Sequence, residues 1–227
     1  MSMETKRTEV YNLIILDKSG SMESIRQAAI DGYNETLGSI KAAQQKYAET
    51  QKHYISLALF CGCGVEMVYG CVEVEKAEKL TKELYNPCCM TPLYDAIGKS
   101  VKALAKRVDA AEDGAALVTI ITDGCENASQ EWTGQAIKKL IEERKEEGWV
   151  FSYIGADHDI EAVASSISVT NVMSWTKTDE GTQQMINTEI KARNRFFAKM
   201  SSCCKAELTN EYRKQIAQEY YKEDEEL

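Results

Sequence analysis

Short apolar runs alternate with segments of helical period from one end of this chain to the other, the pattern of a parallel sheet covered by helices on both faces. Strands are expected near 10–16, 54–60, 65–72, 115–121, 149–154 and 170–175. Ile25, Ala29, Tyr33, Leu37 and Ile40 mark one amphipathic helix between them, and Leu93, Ile97, Val101, Leu104 and Val108 mark another. Further helices are expected over 131–147, 159–167 and 180–203. Around Cys61-Gly62-Cys63-Gly64 two strands come too close together for a helical crossover, so they are expected to form an antiparallel hairpin at one edge. The fold class expected is α/β: a Rossmann-like, doubly wound, mostly parallel six-stranded sheet with one antiparallel edge strand and helices on both faces.

The ends of the apolar runs carry the chemistry. Val10 to Leu16 stops abruptly at Asp17-Lys18-Ser19-Gly20-Ser21, and Ala115 to Ile121 stops at Thr122-Asp123-Gly124. Thr91-Pro92 lies between them at an expected helix start. Three segments thus offer hard oxygen donors at the mouth of the sheet, where ligands of open α/β folds gather. Alternate side chains of an extended segment point the same way, so Asp17, Ser19 and Ser21 can converge, and Gly20 permits a tight turn. Mg²⁺ accepts such a set, because it prefers oxygen and keeps several of its waters. Singly, each residue has a plainer role: Thr91 or Ser21 as a helix N-cap, Asp123-Gly124 as a turn, Asp17 as a solvated loop acid.

In this order, Asp17-x-Ser19-x-Ser21, then Thr91-Pro92-Leu93-Tyr94-Asp95-Ala96-Ile97, then Ile121-Thr122-Asp123-Gly124, the chain resembles the von Willebrand factor A domain and its metal-ion-dependent adhesion site. The likeness covers roughly residues 8 to 200, and Asp123-Gly124-Cys125-Glu126-Asn127-Ala128-Ser129 looks most like stand-alone bacterial members. The resemblance implies that Ser19, Ser21 and, in the ligand-competent state, Thr91 bind Mg²⁺ or Mn²⁺ directly, with Asp17 and Asp123 acting directly or through water. It implies a non-enzymatic adaptor that captures an Asp or Glu carboxylate of a partner protein, in some relatives alongside an AAA-type ATPase. The competing class is a Mg²⁺-dependent hydrolase or phosphoryl-transfer enzyme, for which Lys18 is the available phosphate ligand but is expected to face solvent. Residues 1–205 are assigned to the domain and 206–227 to an acidic helical extension with a frayed end.

The formal net charge of −9 argues against a nucleic-acid backbone as partner, and the densest basic stretch, Lys191-Ala192-Arg193-Asn194-Arg195, alternates with apolar helix positions. No uncharged apolar run approaches the ~20 residues of a spanning helix, so no membrane is expected. The apolar stretch after Lys6-Arg7 is broken by Asn12 and lacks a small-residue cleavage site, unlike a secretory signal. Eight cysteines without such a signal suit a reducing, cytoplasmic setting. Cys61, Cys63, Cys71, Cys88, Cys89, Cys125, Cys203 and Cys204 include no Cys-x-x-Cys pair, and two of the pairs are adjacent residues, so free thiols are expected rather than a zinc module. His53 is expected to precede a strand among polar residues. The loop Gly155-Ala156-Asp157-His158-Asp159 is expected on the metal rim, with one acid capping the next helix, and Trp132, Trp149 and Trp175 are read as packing residues.

Overall fold

A computed structural model describes residues 7–156, 159–202 and 208–222. The chain runs through β1 (Thr8–Asp17), a 3-10 turn (Gly20–Ile25), α1 (Arg26–Lys46), β2 (Gln51–Cys61) and β3 (Gly64–Glu73). After a second short 3-10 turn come α2 (Leu93–Val108), β4 (Gly114–Thr122), α3 (Gly134–Glu146), β5 (Val150–Gly155), α4 (Ile160–Ser166), β6 (Asn171–Ser174), α5 (Asp179–Ser202) and α6 (Asn210–Gln218). The strand order is β3-β2-β1-β4-β5-β6, parallel throughout except for β3, which returns antiparallel along β2. This is the expected mostly parallel six-stranded sheet with one antiparallel edge.

The two-residue period of β1 divides its side chains between two cores. Val10, Ile14 and Leu16 pack in a layer with residues of α1, α5 and α6, whereas Tyr11, Leu13 and Ile15 pack with residues of α2, α3 and α4. Connections leave β1 toward β2 on one side and leave β4 toward β5 on the other, so the sheet's switch point falls between β1 and β4. Asp17 closes one of these strands and Asp123 directly follows the other.

Two polar residues lie deep in the core. His53 is not ahead of a strand but inside β2, fully buried, with Nε2 2.9 Å from Gln51 Oε1 and its ring edge-on to Phe197. Burial, assisted by the Arg193 charge, lowers its pKa to about 4, so it stays neutral at pH 7. Arg193, in the densest basic stretch, faces inward. It is fully buried, donating to Asn12 Oδ1 at 2.8 Å, Thr119 Oγ1 at 2.7 Å and Glu189 Oε1 at 2.8 Å. Asn12, the polar interruption in the first strand, is there to receive it. Such a charge is tolerated inside a protein only when paired and hydrogen-bonded.

The same Glu189 carboxylate accepts from Tyr220 Oη at 2.9 Å and Tyr221 Oη at 2.6 Å, and Tyr221 Oη also lies 2.7 Å from Ser152 Oγ. The described part of the 206–227 segment is thereby tied to α5 and β5, with Ile216, Ala217 and Tyr220 buried in the common core. Cys203, Cys204 and the chain end from 223 lie outside the described residues. Trp149 and Trp175 are buried, and Trp132 covers Gly98, where an added Cβ would meet its ring at 2.2 Å. Among the described residues no helix is long and apolar enough to cross a membrane.

Candidate metal-binding site

Asp17 ends β1 with its side chain turned inward. Tyr85, itself fully buried, donates its hydroxyl to the Asp17 carbonyl at 2.6 Å and fixes the strand's exit. One carboxylate oxygen of Asp17 accepts the Ser19 backbone N–H at 2.6 Å, and the other accepts the Thr122 hydroxyl at 2.6 Å. The loop therefore folds back over its own aspartate while β4 clamps it from the side. Ser19 Oγ lies 3.2 Å from Ser21 Oγ, and Ser21 donates to Asp123 Oδ1 at 2.5 Å. Gly124 sits between hydroxyls: a Cβ there would lie 3.3 Å from Thr91 Oγ1 and 3.9 Å from Ser21 Oγ. Asp17, Ser19, Ser21, Thr91 and Asp123 thus meet at the carboxyl ends of β1 and β4.

The surroundings are dry on the inner side and open at the rim. Asp17 is 0 % exposed, Ser19 1 %, Thr91 4 % and Asp123 5 %, while Ser21 faces solvent. Burial raises the Asp17 pKa from its ordinary 3.8 to about 6, even though its hydrogen bonds to Thr122 and Ser19 pull the other way. A carboxylate so poorly solvated is a group in want of a cation. Asp123 has one: Lys177 Nζ, on the segment between β6 and α5, stands 3.2 Å from Asp123 Oδ2. The ammonium balances the charge of this buried acid.

Neither Thr91 nor Ser21 acts as the helix cap that each alone suggests. Helix α2 starts at Leu93 with Pro92 just before it, and the Tyr94 N–H is taken at 2.9 Å by Glu126 of the loop after β4. Glu126 also accepts from Ala128 N, Ser129 N and Ser129 Oγ. In return Asp95 of α2 accepts the backbone N–H groups of Gln130, Glu131 and Trp132. Asn127 closes the brace: its Oδ1 accepts Thr91 N–H at 2.8 Å and its own N–H donates to Thr91 O at 3.1 Å. The Thr91 hydroxyl is left for the site because neighbouring loops satisfy its backbone. Glu126, Asn127 and Asp95 had no signal of their own in the sequence beyond standing inside the motif strings.

Other expected rim residues divide. Lys18 turns to β3, where Nζ pairs with Glu66 at 3.0 Å and its side chain is 15 % exposed. Asp159 caps α4 by accepting Ala162 N–H at 3.1 Å. Asp157 and His158 lie outside the described residues. Four cysteines gather beside the oxygen donors, free as expected but closer together than their spacing in the sequence suggests. Cys61, at the end of β2, and Cys63, in the hairpin turn, face Cys88 and Cys89, which precede Thr91.

No family model and no curated protein matches the sequence. Solved structures do resemble the chain. The pilus adhesin SpaC of Lactobacillus rhamnosus GG, in an open conformation, superposes with a TM-score of 0.59 at 14 % identity over 82 % of this chain and 30 % of its own. Proximal thread matrix protein 1 of the mussel byssus, with a zinc-occupied metal-ion-dependent adhesion site, gives 0.55 at 13 % identity over 82 % of this chain and 46 % of its own. The fold is that of a von Willebrand factor A domain. The VWA domain of SpRpn10, at a TM-score of 0.53 and 9 % identity, matches 79 % of this chain and 94 % of its own. The chain thus spans less than half of the adhesin and of the byssus protein, but nearly the whole of an isolated A domain.

Proposed function

We propose that this A domain is a divalent-metal-dependent protein-binding module that captures an acidic residue of a partner. The observation that carries the reading is the meeting of three hydroxyls and two buried carboxylates at the switch point, with the Lys177 ammonium already drawn to one of them. Ser19, Ser21 and Thr91 are neutral donors, and Asp17 and Asp123 lie behind and beside them, so the set suits Mg²⁺ or Mn²⁺ better than a softer ion. The zinc-bound site of the byssus protein supports a divalent cation at this place in the fold. Bound there, the ion supplies a hard, positively charged position for a carboxylate oxygen. Ser21, on the exposed rim, marks the side from which a partner's Asp or Glu would approach. Residues around the site then do the remaining work: Tyr85 and Thr122 hold Asp17 in place, and Asn127 and Glu126 hold Thr91.

The test is a titration of Mg²⁺ and Mn²⁺ into the full chain, followed by an anomalous difference map from Mn²⁺-soaked crystals. A peak among Ser19, Ser21 and Thr91 that vanishes in Asp123→Ala is expected, together with metal-dependent retention of the chain on an immobilised Glu-containing peptide. A peak elsewhere, or peptide binding indifferent to chelator, overturns the reading. A Mg²⁺-dependent hydrolase keeps one observation in its favour, since Lys177 is a cation placed where a phosphoryl group beside Asp123 would need one. That alternative requires phosphate-ester turnover that disappears in Asp17→Asn.

A further inference from the structure

Four thiols from two distant stretches of chain meet at the rim of the sheet. Cys61 Sγ lies 3.4 Å from Cys88 Sγ, Cys63 Sγ lies 3.9 Å from Cys88 Sγ, and Cys63 Sγ lies 3.4 Å from Cys89 Sγ. The backbone is shaped to bring them there. Gly62 has no Cβ to keep the hairpin tip away from the second stretch; one added there would come within 3.0 Å of Cys89 Cβ and of Met90 N. Gly64 turns the hairpin at a φ of 131°, and Cys89 itself holds a φ of 62°, a left-handed backbone that non-glycine residues seldom adopt. Cys61, Cys63 and Cys88 all lie within 4.8 Å of one another.

From this geometry we infer a second, soft-metal site: Cys61, Cys63, Cys88 and Cys89 bind one Zn²⁺ through sulfur. Zinc bound to sulfur at ~2.3 Å in a tetrahedron sets neighbouring sulfurs roughly 3.8 Å apart, close to the three separations given above; Cys61, Cys63 and Cys88 already form a compact face, and Cys89, in contact through Cys63, closes the fourth position by a small inward shift of its exposed side chain. A disulfide would need sulfurs at about 2.05 Å. The cluster is also accessible, because Cys61 is buried and Cys88 half-buried at its base while Cys63 and Cys89 are exposed at its mouth. Adjacent cysteines, which seldom serve one ion along a regular element, can do so here because each of the pair faces the hairpin across a turn. Sulfur donors select Zn²⁺ where the neighbouring oxygen set selects Mg²⁺, so the two sites sort their ions by softness.

The thiol segment is joined to the hydroxyl loop on both sides of Ser19. Cys88 N–H donates to Lys18 O at 2.9 Å, and Gly20 N–H donates to Cys89 O at 3.1 Å. Two residues after Cys89 comes Thr91. Zinc at the thiols therefore braces the loops that carry Ser19, Ser21 and Thr91. The thiol site stands without the proposed adhesion site, whereas this bracing rests on it.

The experiment loads the full chain, purified under reducing conditions, with Zn²⁺ or Co²⁺ and removes free metal by gel filtration. One retained Zn²⁺ per chain is expected, with cobalt giving sulfur-to-metal charge-transfer and tetrahedral ligand-field bands. Both readouts should persist in Asp17→Ala and Asp123→Ala, which separates the thiol site from the oxygen site, and in Cys71→Ser and Cys125→Ser. They should be lost in Cys61→Ser/Cys88→Ser and in Cys63→Ser/Cys89→Ser; the latter pair is exposed, so its loss cannot be blamed on a disrupted core. Zinc retained equally by the cysteine variants, cobalt bands without sulfur character, or a disulfide joining the two stretches under reducing conditions overturns the inference. A wild-type chain that retains zinc but binds no Mg²⁺ would sink the adhesion reading alone.

Discussion

Replacing Asp17 by Asn should make the metal-free protein more stable while removing its affinity for Mg²⁺. The Asp17 carboxylate is fully buried and its pKa stands at about 6 rather than 3.8, burial being the main cause. At ~1.36 kcal/mol per pH unit, that rise corresponds to about 3 kcal/mol by which the ionised group opposes folding near pH 8. The contribution is absent below pH 3.8 and complete above pH 6, so Asp17 makes the metal-free chain progressively less stable as pH rises through that window. Asn fits the same space: its Oδ1 can accept the Ser19 N–H, and the Thr122 hydroxyl, 3.2 Å from Gly124 O, can turn to donate there while accepting from the new amide. For a chain of this size about 3 kcal/mol is worth roughly 6–12 °C in thermal midpoint. His53 acts in the opposite sense. Its folded pKa of about 4 lies below the unfolded 6.5, so the stability it contributes is complete above pH 6.5 and is lost, by about 3 kcal/mol, as pH falls toward 4. In the wild type the two trends offset one another between pH 6 and 4, whereas in Asp17→Asn only the histidine's remains. The assay is denaturant unfolding with chelator at a series of pH values, paired with Mg²⁺ titration at pH 8. A variant less stable than wild type at pH 8, or one that keeps the Mg²⁺-induced rise in midpoint, would refute the argument that Asp17 is held ready, at a cost in stability, for a cation.

Lys177→Ala removes the cation that shares Asp123 with the metal, and should tighten Mg²⁺ about threefold to tenfold by calorimetry, the modest size reflecting an effective dielectric of ~20 near the surface; weaker binding would mean that Lys177 helps to build the site. Gly124→Ala places a methyl 3.3 Å from Thr91 Oγ1, and should weaken Mg²⁺ on the order of tenfold while leaving the metal-free thermal midpoint within about 2 °C of wild type. Arg193→Ala leaves Glu189 buried without its cation and should cost about 3–5 kcal/mol in urea unfolding, a larger loss than Arg193→Ala combined with Glu189→Gln; equal losses would show that the ion pair is not what the core requires.

The order of strands and helices was legible because hydrophobic pattern is a local property: the short apolar run of Val10 to Leu16 and the three-to-four spacing of Leu93 to Val108 survive whatever the rest of the chain does. The oxygen donors were legible for a related reason. Asp17, Ser19, Ser21 and Asp123 stand at strand ends, and parallel pairing of β1 with β4 brings those ends together once the strands are known. Thr91 was legible as a hydroxyl at an expected helix start, and its freedom from capping was decided by Glu126 and Asn127, which reach it and its helix from the loop after β4.

What the sequence by itself determined was the layering of the sheet and the rim on which hard ligands collect, since both follow from periodicity and from where the apolar runs stop. Only the tertiary structure decided that Arg193 is an interior charge, that His53 is a neutral core residue, and that four cysteines spread from 61 to 89 form one cluster. Those outcomes depend on contacts between residues far apart in the chain, fixed by a hairpin register, a close approach at Gly62 and a buried polar network. The burial of a charge or the distance between two sulfurs is set by which neighbours arrive, and a linear pattern carries no record of them.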